Sequence, residues 1–170
     1  MPFLDQIEAA IPGLRAYARA LARDREAADD LVQDALETAL ARQAQWRGDG
    51  TVRAWLCRIL LNHFRDGLRR PRPSAAVLAL VPDPPDPLAA RQADGRLALT
   101  EVHQAMGRLP EDQRSALLLV ALEGMSLAEA ASVSGCAEGT LASRLARGRA
   151  ALRQMTGREA VPGRPGKAGE

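Results

Sequence analysis

Residues 126–152 read SLAEAASVSGCAEGTLASRLARGRAAL, and this stretch decides the fold of the C-terminal half of the chain. It opens with a Ser-x-x-Glu capping box, in which the hydroxyl of Ser126 accepts a hydrogen bond from the backbone three residues on and Glu129 accepts one in return. Gly135 then predicts the end of a short helix, and a second helix is predicted to begin near Ala137. Small and apolar residues recur along that second helix at steps of three and four, which predicts its buried stripe: Leu141, Leu145, Gly148 and Leu152.

The two helices fit a helix-turn-helix, because the small, turn and apolar residues that this motif needs stand at the required positions. They are Ala131 in the first helix, Gly135 in the turn and Leu141 in the second helix. The outer side of the second helix is polar or basic, and there an arginine can pair with phosphate or reach guanine in the major groove. The alternative is an ordinary helical hairpin with solvated arginines. The outward residues are predicted to be Ser143, Arg144, Arg147 and Arg149.

A second basic face is predicted on a helix from Ala54 to Arg70, opposite its apolar side. Just upstream, residues 46–50 form a glycine-containing loop with an aromatic residue. A basic helix beside such a loop suits single-stranded nucleic acid, because the charges follow the phosphates and the loop can receive an unstacked base. The alternative is that both tryptophans belong to the core; it is favoured for Trp55 and stays open for Trp46. The basic face consists of Arg58, Asn62, Arg65 and Arg69.

The third charged surface is acidic, with six acids and one base between Asp24 and Glu37. Nucleic acid would be repelled by it, so it is predicted to be a docking surface for a basic protein. Solvated charge without a partner is the alternative. The face consists of Asp29, Asp30, Gln33, Asp34 and Glu37.

Helical spacing on both sides of a proline-rich stretch predicts an all-α fold of two small helical domains. The domains are predicted over 1–70 and 96–156, with a semi-rigid linker over 71–95 and a disordered tail over 157–170. An apolar patch at 77–81 could dock in a groove on a partner or on the chain itself. All five aromatic residues precede residue 65, which suggests two separate cores, and Pro12 is expected to begin a new helix.

Several functional classes are excluded by composition. Cys57 and Cys136 have no Cys-x-x-Cys or Cys/His companions, and the two histidines complete no ligand set, so we expect no metal and no cofactor. Reduced thiols favour a cytoplasmic protein. No signal peptide and no apolar run of membrane-spanning length is visible, so no membrane insertion is expected.

Three stretches in this order resemble the extracytoplasmic-function (ECF) sigma factors of the sigma-70 family. REAADDLVQD at 25–34 resembles region 2.2. AWLCRILLN at 54–62, with DGLRR at 66–70, resembles regions 2.3 and 2.4. LPEDQR at 109–114, with GCAEGT at 135–140 and Ser143-Arg144, resembles region 4. The resemblance covers residues 10–70 and 97–155. The sequence around Trp55 and Gly135-Cys136 is similar to that of the alphaproteobacterial general-stress subgroup.

The resemblance implies a protein that is not an enzyme, but binds RNA polymerase core and directs initiation at promoters with −10 and −35 elements. An anti-sigma factor is implied as a further partner, clamping both domains. The implied contacts with core polymerase are Asp29, Asp30, Leu31, Gln33 and Asp34. Those with the non-template strand of the −10 element are Trp46, Arg47, Asp49, Arg58, Asn62, Arg65 and Arg69. Those of the recognition helix with the −35 element are Glu138, Thr140, Ser143, Arg144, Arg147 and Arg149.

The recognition helix departs from the family pattern at two positions. Many relatives carry Lys or Arg where this chain has Ala142, and a bulkier residue where it has Ala146, so the usual −35 sequence cannot be assumed. Ala142 also supports one alternative function, a sigma-like decoy that sequesters an anti-sigma protein without binding DNA. A stand-alone repressor is a third possibility, but it leaves the acidic helix and Asn62 unexplained.

Overall fold

The computed structural model describes residues 2–69 and 93–157, which form helices joined by turns, with no strand in either range. This confirms the all-α class. The linker predicted over 71–95 and the tail predicted over 157–170 lie almost entirely outside the described residues. The helices are α1 (Phe3–Ala22), α2 (Arg25–Ala41), α3 (Val52–Arg69), α4 (Ala93–Arg108), α5 (Glu111–Ala121), α6 (Leu127–Ser134) and α7 (Glu138–Thr156), with a 3₁₀ turn at Gln43–Gln45.

Helices α1, α2 and α3 pack on one another as a three-helix bundle. The first connection is tight, because Arg23 ends α1 in the left-handed region at φ 62° and Asp24 caps α2. The Asp24 carboxylate accepts a hydrogen bond from the backbone N–H of Ala27 at 2.8 Å, which satisfies one of the free donors at the start of a helix. The buried stripe of α1 consists of Ile7, Ala10, Leu14, Tyr17, Ala18 and Leu21.

The expectation that Pro12 begins a new helix is wrong, since α1 continues through it. A proline inside a helix removes one backbone hydrogen bond and crowds the preceding turn. Pro12 is exposed, whereas Ala10 and Leu14 are buried in the bundle. Tertiary packing of the apolar stripe on both sides of Pro12 therefore holds the helix together despite the lost bond.

The predicted helix-turn-helix is confirmed. The Ser126 hydroxyl accepts from the backbone N–H of Glu129 at 3.2 Å, and the Glu129 carboxylate accepts from the backbone N–H of Ser126 at 3.0 Å. Gly135 ends α6 in the left-handed region at φ 67°, and Ala137 is the N-cap of α7. Gly148 lies so close to α5 that a Cβ there would be 2.8 Å from Leu117 Cδ1, which explains a glycine inside the buried stripe.

Replacing Ser126 with alanine is expected to lower the free energy of unfolding by about 1 kcal/mol at neutral pH. The hydrogen bonds from Ser126 lower the pKa of the Glu129 carboxyl. A lowered folded-state pKa gives a stabilisation that is present above the unfolded-state pKa and is lost as pH falls through the folded value. Urea unfolding followed by circular dichroism should therefore show a difference between wild type and S126A that shrinks in acid; a difference that grows in acid would contradict this account.

The hydrophobic core is continuous across both halves of the chain, which corrects the expectation of two separate cores. Helix α3 packs on α6, and α1 packs on α5. The aromatic residues are confined to the first half, as the sequence shows, but aliphatic side chains of α5 and α6 complete the same core. They include Leu117, Leu118, Leu119 and Val133.

Candidate nucleic-acid and polymerase interface

The recognition helix α7 presents one exposed face. Its opposite face is buried, because Leu141 is fully buried and Leu145 is 5% exposed against α5 and α6. The small side chains of Ala142 and Ala146 lie among the exposed residues. The predicted −35 residues with exposed side chains are Glu138, Thr140, Ser143 and Arg147.

The prediction that Arg144 faces outward needs correction. Its Nε atom lies 3.1 Å from Asp112 Oδ2 in the first turn of α5, and its side chain is only 22% exposed. The pairing with Asp112 directs this guanidinium toward α5. Arg149 is half-buried, whereas Arg147 is exposed, with its Nε donating to the carbonyl of Ser143 at 3.3 Å. Arg147 is therefore the more available of these three arginines.

Helix α3 exposes most of its predicted basic face. Arg58, Asn62 and Arg69 are exposed. Arg65 is not, because its Nε lies 3.1 Å from Glu111 Oε1 and its Nη1 donates to the carbonyl of Ser134 at 3.0 Å. The second half of the chain thus engages the Arg65 guanidinium, which corrects the expectation that Arg65 faces outward with the rest of the basic face; its −10 role stays a prediction.

The loop before α3 is built on an aromatic cluster. The rings of Trp46 and Trp55 lie with centroids 5.4 Å apart, and Phe3 lies 6.0 Å from Trp55. Both tryptophans are half-buried, so Trp46 is partly core and partly accessible. Gly48 and Gly50 take φ values of 78° and 88°, which only glycine adopts freely. The loop residues Arg47 and Asp49 are exposed.

Helix α2 presents the predicted acidic face to solvent. Asp29, Asp30, Gln33 and Asp34 are exposed. Leu31 differs, because it is 8% exposed and packs in the core, so its predicted contact with polymerase is not presented on this face. Arg19 of α1 approaches Asp29 at 4.0 Å between exposed side chains, and such surface pairs are weak. The face stays strongly negative.

Sequence reasoning missed the charged contacts between the two halves of the chain. The shortest joins Arg53 Nε to Glu123 Oε2 at 2.5 Å. Arg53 lies on the side of α3 next to the predicted basic face. Glu123 follows α5, in a turn whose sequence predicts exposure to solvent. An acid between Leu122 and Gly124 gives no local signal of burial, so only the tertiary structure brings the pair together.

No group of His, Cys, Asp and Glu that could hold a metal ion occurs among residues 2–69 and 93–157. Within the same ranges no helix has both the length and the apolar character needed to cross a bilayer. Cys57 is a buried free thiol and Cys136 a half-buried one.

Comparison with known proteins gives matches on both sides of the linker. The family described as the Sigma2 domain of PhyR matches residues 7–61, and Sigma-70, region 4 matches residues 99–152. The ECF RNA polymerase sigma factor EcfG of Rhodopseudomonas palustris is 38% identical over 157 residues, which cover 84% of this chain and 78% of that protein. The ECF RNA polymerase sigma factor SigM of Mycobacterium tuberculosis is 39% identical over 146 residues, covering 85% and 71%.

Solved structures, among them the following two, are similar over most of the chain. The sigma factor RpoE, in complex with the anti-sigma factor NepR from Bartonella quintana, has a TM-score of 0.70 at 30% identity and covers 90% of this chain and 95% of that one. CnrH in complex with the cytosolic domain of CnrY has a TM-score of 0.58 at 29% identity, with 87% and 80% covered. Because both sigma domains are matched in order, and the relatives are matched over more than two thirds of their length, the chain belongs to the ECF sigma factors of RNA polymerase, which direct promoter-specific initiation of transcription.

Proposed function

We propose that the chain divides its three charged surfaces between protein and DNA. The acidic face of α2 binds core polymerase, the basic face of α3 with the Trp46 loop binds the −10 strand, and α7 binds the −35 duplex. The observation that supports this assignment is the segregation of charge, with carboxylates exposed on α2 and cationic or amide side chains exposed on α3 and α7. The working units are residues 1–70 and 96–156, tethered by 71–95, and the chain acts in the cytoplasm with its polymerase.

Recognition of the −35 element is assigned to the exposed side of α7. Arg147 is suited to a bidentate bond with guanine. The Ser143 hydroxyl can bond to either a donor or an acceptor on a base edge. Ala142 and Ala146 lie on the exposed side, where an alanine methyl can contact the methyl group of thymine. Arg144 supports the helix through Asp112. Promoter choice therefore rests on fewer polar contacts than in relatives with a long side chain at position 142.

Recognition of the −10 element is assigned to the exposed residues of α3 and its preceding loop. Arg58 and Arg69 supply positive charge for the phosphates, and Asn62 can form hydrogen bonds to a base edge. The accessible part of Trp46 lies beside them, where an unstacked base can pack. The chain makes and breaks no covalent bond in this role; it contributes binding free energy for strand opening, and the polymerase catalyses synthesis.

The Arg147→Ala variant tests the −35 assignment. Loss of one good base contact costs about 1–3 kcal/mol, so we expect promoter binding by the holoenzyme to weaken by about 5- to 150-fold. Affinity for core polymerase should not change. Start sites mapped after overproduction supply the promoter, and gel shifts with holoenzyme give the affinities.

Arg153→Ala is the matched control, because Arg153 is an exposed arginine in the last turn of α7. It should lower promoter binding only slightly. Equal losses in the two variants would show that Arg147 contributes charge alone. If wild-type holoenzyme bound no promoter at all, the decoy function would replace the sigma factor assignment, and tight duplex binding without polymerase would favour a repressor.

An anti-sigma protein is proposed as the regulator. The support is that one similar solved structure is a sigma factor in complex with the anti-sigma factor NepR, and that in another CnrH is in complex with the cytosolic domain of CnrY. The matches to EcfG and to the Sigma2 domain of PhyR fit a general-stress role. Co-purification from cells with tagged protein tests this partner, and a stable complex should lose activity in transcription from the mapped promoter.

A further inference from the structure

The side of α3 next to its basic face is covered by the helix-turn-helix half of the chain. Arg53, Cys57 and Arg65 lie along this side at helical spacing, and each contacts a residue from the other half. Helix α6 packs directly on α3. The two halves, which the sequence predicts to be tethered units, are therefore in contact through the helix that also holds the −10 residues.

The centre of this contact is the ion pair between Arg53 and Glu123. The Glu123 side chain is fully buried, whereas the Arg53 side chain is 44% exposed. The hydrogen bond to Glu123 raises the pKa of Arg53. A buried carboxylate without a cation is strongly destabilising. Glu123 therefore favours contact between the two halves of the chain only while it is paired with Arg53.

Arg65 makes a second connection. Its guanidinium contacts both the Glu111 carboxylate at the start of α5 and the Ser134 carbonyl at the end of α6. Both bonds of this guanidinium are made to the second half of the chain, so fewer of its N–H donors are left for a phosphate. A residue predicted for −10 DNA is thus already occupied within the protein.

The space in front of the −10 loop is also restricted. Trp46, Asp49 and Arg58 line one side of a cavity of about 130 Å³, and α6 lines the other with Glu129, Ser132 and Val133. Pockets that enclose small organic ligands measure about 300–1,000 Å³. Helix α6 therefore forms the second wall of the space in which an unstacked base would lie.

We propose that this arrangement is an autoinhibited closed state, in which α5 and α6 of the chain itself engage Arg65 and narrow the space beside the Trp46 loop, and the Arg53–Glu123 pair stabilises the contact. Opening separates the halves, frees Arg65 and lets the two DNA-binding surfaces reach separate elements. The contact itself is independent of the proposed DNA roles, but its inhibitory effect rests on them. If the closed state dominates, the apparent affinity for DNA falls by the open fraction.

The closed state also contains a destabilising feature, which lowers the free energy needed to open it. Arg23 donates to the carbonyl of Gly107 across the interface at 3.2 Å. Burial, and next the nearby Arg23, lower the pKa of Arg114. The Nε atoms of Arg23 and Arg114 are both buried without a partner. Like charges and unpaired donors at the α1–α5 contact oppose the ion pairs at the α3–α6 contact.

The Arg53→Glu variant tests the closed state, with the Cys57 thiol as reporter. Cys57 is buried beneath Glu123, with Sγ 3.7 Å from Oε2. In a Cys136→Ser background we expect Arg53→Glu to make thiol modification of Cys57 at least about tenfold faster, which corresponds to a loss of about 1.4 kcal/mol. The radius of gyration from small-angle scattering should rise as well. The double variant Arg53→Glu/Glu123→Arg restores an opposite-charge pair and should return both values toward wild type.

Binding of a mixed-sequence single-stranded oligonucleotide tests the inhibitory effect. Arg53→Glu removes positive charge, so electrostatics alone predicts weaker binding. We expect tighter binding, by severalfold, because Arg65 and the space beside the Trp46 loop are released. Arg15→Glu is the matched control, since Arg15 is exposed on α1 and its reversal changes the net charge equally; it should only weaken binding.

The outcomes separate the two parts of the proposal. Unchanged Cys57 reactivity and radius of gyration in Arg53→Glu would overturn the closed state. Faster modification without tighter DNA binding would keep the closed state and overturn its inhibitory role. A variant that loses helix content by circular dichroism would be replaced by Arg53→Gln, which removes the pair without placing two carboxylates together.

Discussion

Reversing the charge of both Asp30 and Asp34 to lysine is expected to weaken binding to core RNA polymerase by about 100-fold or more. Both carboxylates are exposed on α2. If their partner surface is basic, each reversal replaces an attraction with a repulsion, and a cost of roughly 1.4 kcal/mol per position gives this factor. Fluorescence anisotropy of labelled protein titrated with core enzyme measures the affinity.

A control with the same change in net charge separates this surface from general electrostatics. Asp5 and Glu8 are exposed acids on α1, and lysine at both positions should leave the affinity within about threefold of wild type. Asparagine at positions 30 and 34 should give an intermediate loss, since it removes attraction without adding repulsion. Core binding at wild-type affinity by the lysine variant would exclude α2 from the polymerase interface.

Local rules in the sequence were sufficient to predict the helix-turn-helix. The cap at Ser126 and the left-handed glycine at position 135 depend on neighbours within a few residues, and the buried Leu141 follows from helical spacing. These features are confirmed. The exposed acidic residues of α2 and most of the basic face of α3 also follow from spacing, because an amphipathic helix has one side toward its core.

Tertiary contacts determine which charged side chains are paired, and the sequence alone could not predict this. Spacing indicates that Arg65 and Arg144 lie away from the apolar stripe, but it does not tell which of them finds a carboxylate on another helix. Glu111 and Asp112 provide those carboxylates at the start of α5. Acids in the first turn of a helix also interact favourably with the helix dipole, and this does not exclude pairing, so the same two residues do both. Pro12 shows the same limit, because packing of α1 in the bundle keeps the helix continuous where the local preference of proline predicts a helix start.

Replacing Leu141 with alanine is expected to cause the largest loss of stability of any variant considered. Leu141 is fully buried where α7 crosses α6. Truncation of a buried leucine costs about 2–5 kcal/mol through lost burial and a residual cavity. Total stabilities are only about 5–15 kcal/mol, so thermal unfolding should shift markedly. Leu122→Ala is the matched control, because Leu122 is 46% exposed in the same half of the chain, and it should change stability by less than about 0.5 kcal/mol.

The shape of the unfolding curve for Leu141→Ala bears on the continuity of the core. If both halves share one core, the lost packing at Leu141 destabilises α3 as well as α7. The chain then unfolds in a single transition at a lower temperature. With Arg53→Glu added, the halves are uncoupled and two transitions should appear, the first from the helix-turn-helix half. A tryptophan signal from Trp46 and Trp55 follows the first half separately, since no tryptophan lies beyond residue 55. Two transitions already in Leu141→Ala alone would mean that the contact between α3 and α6 contributes little to stability.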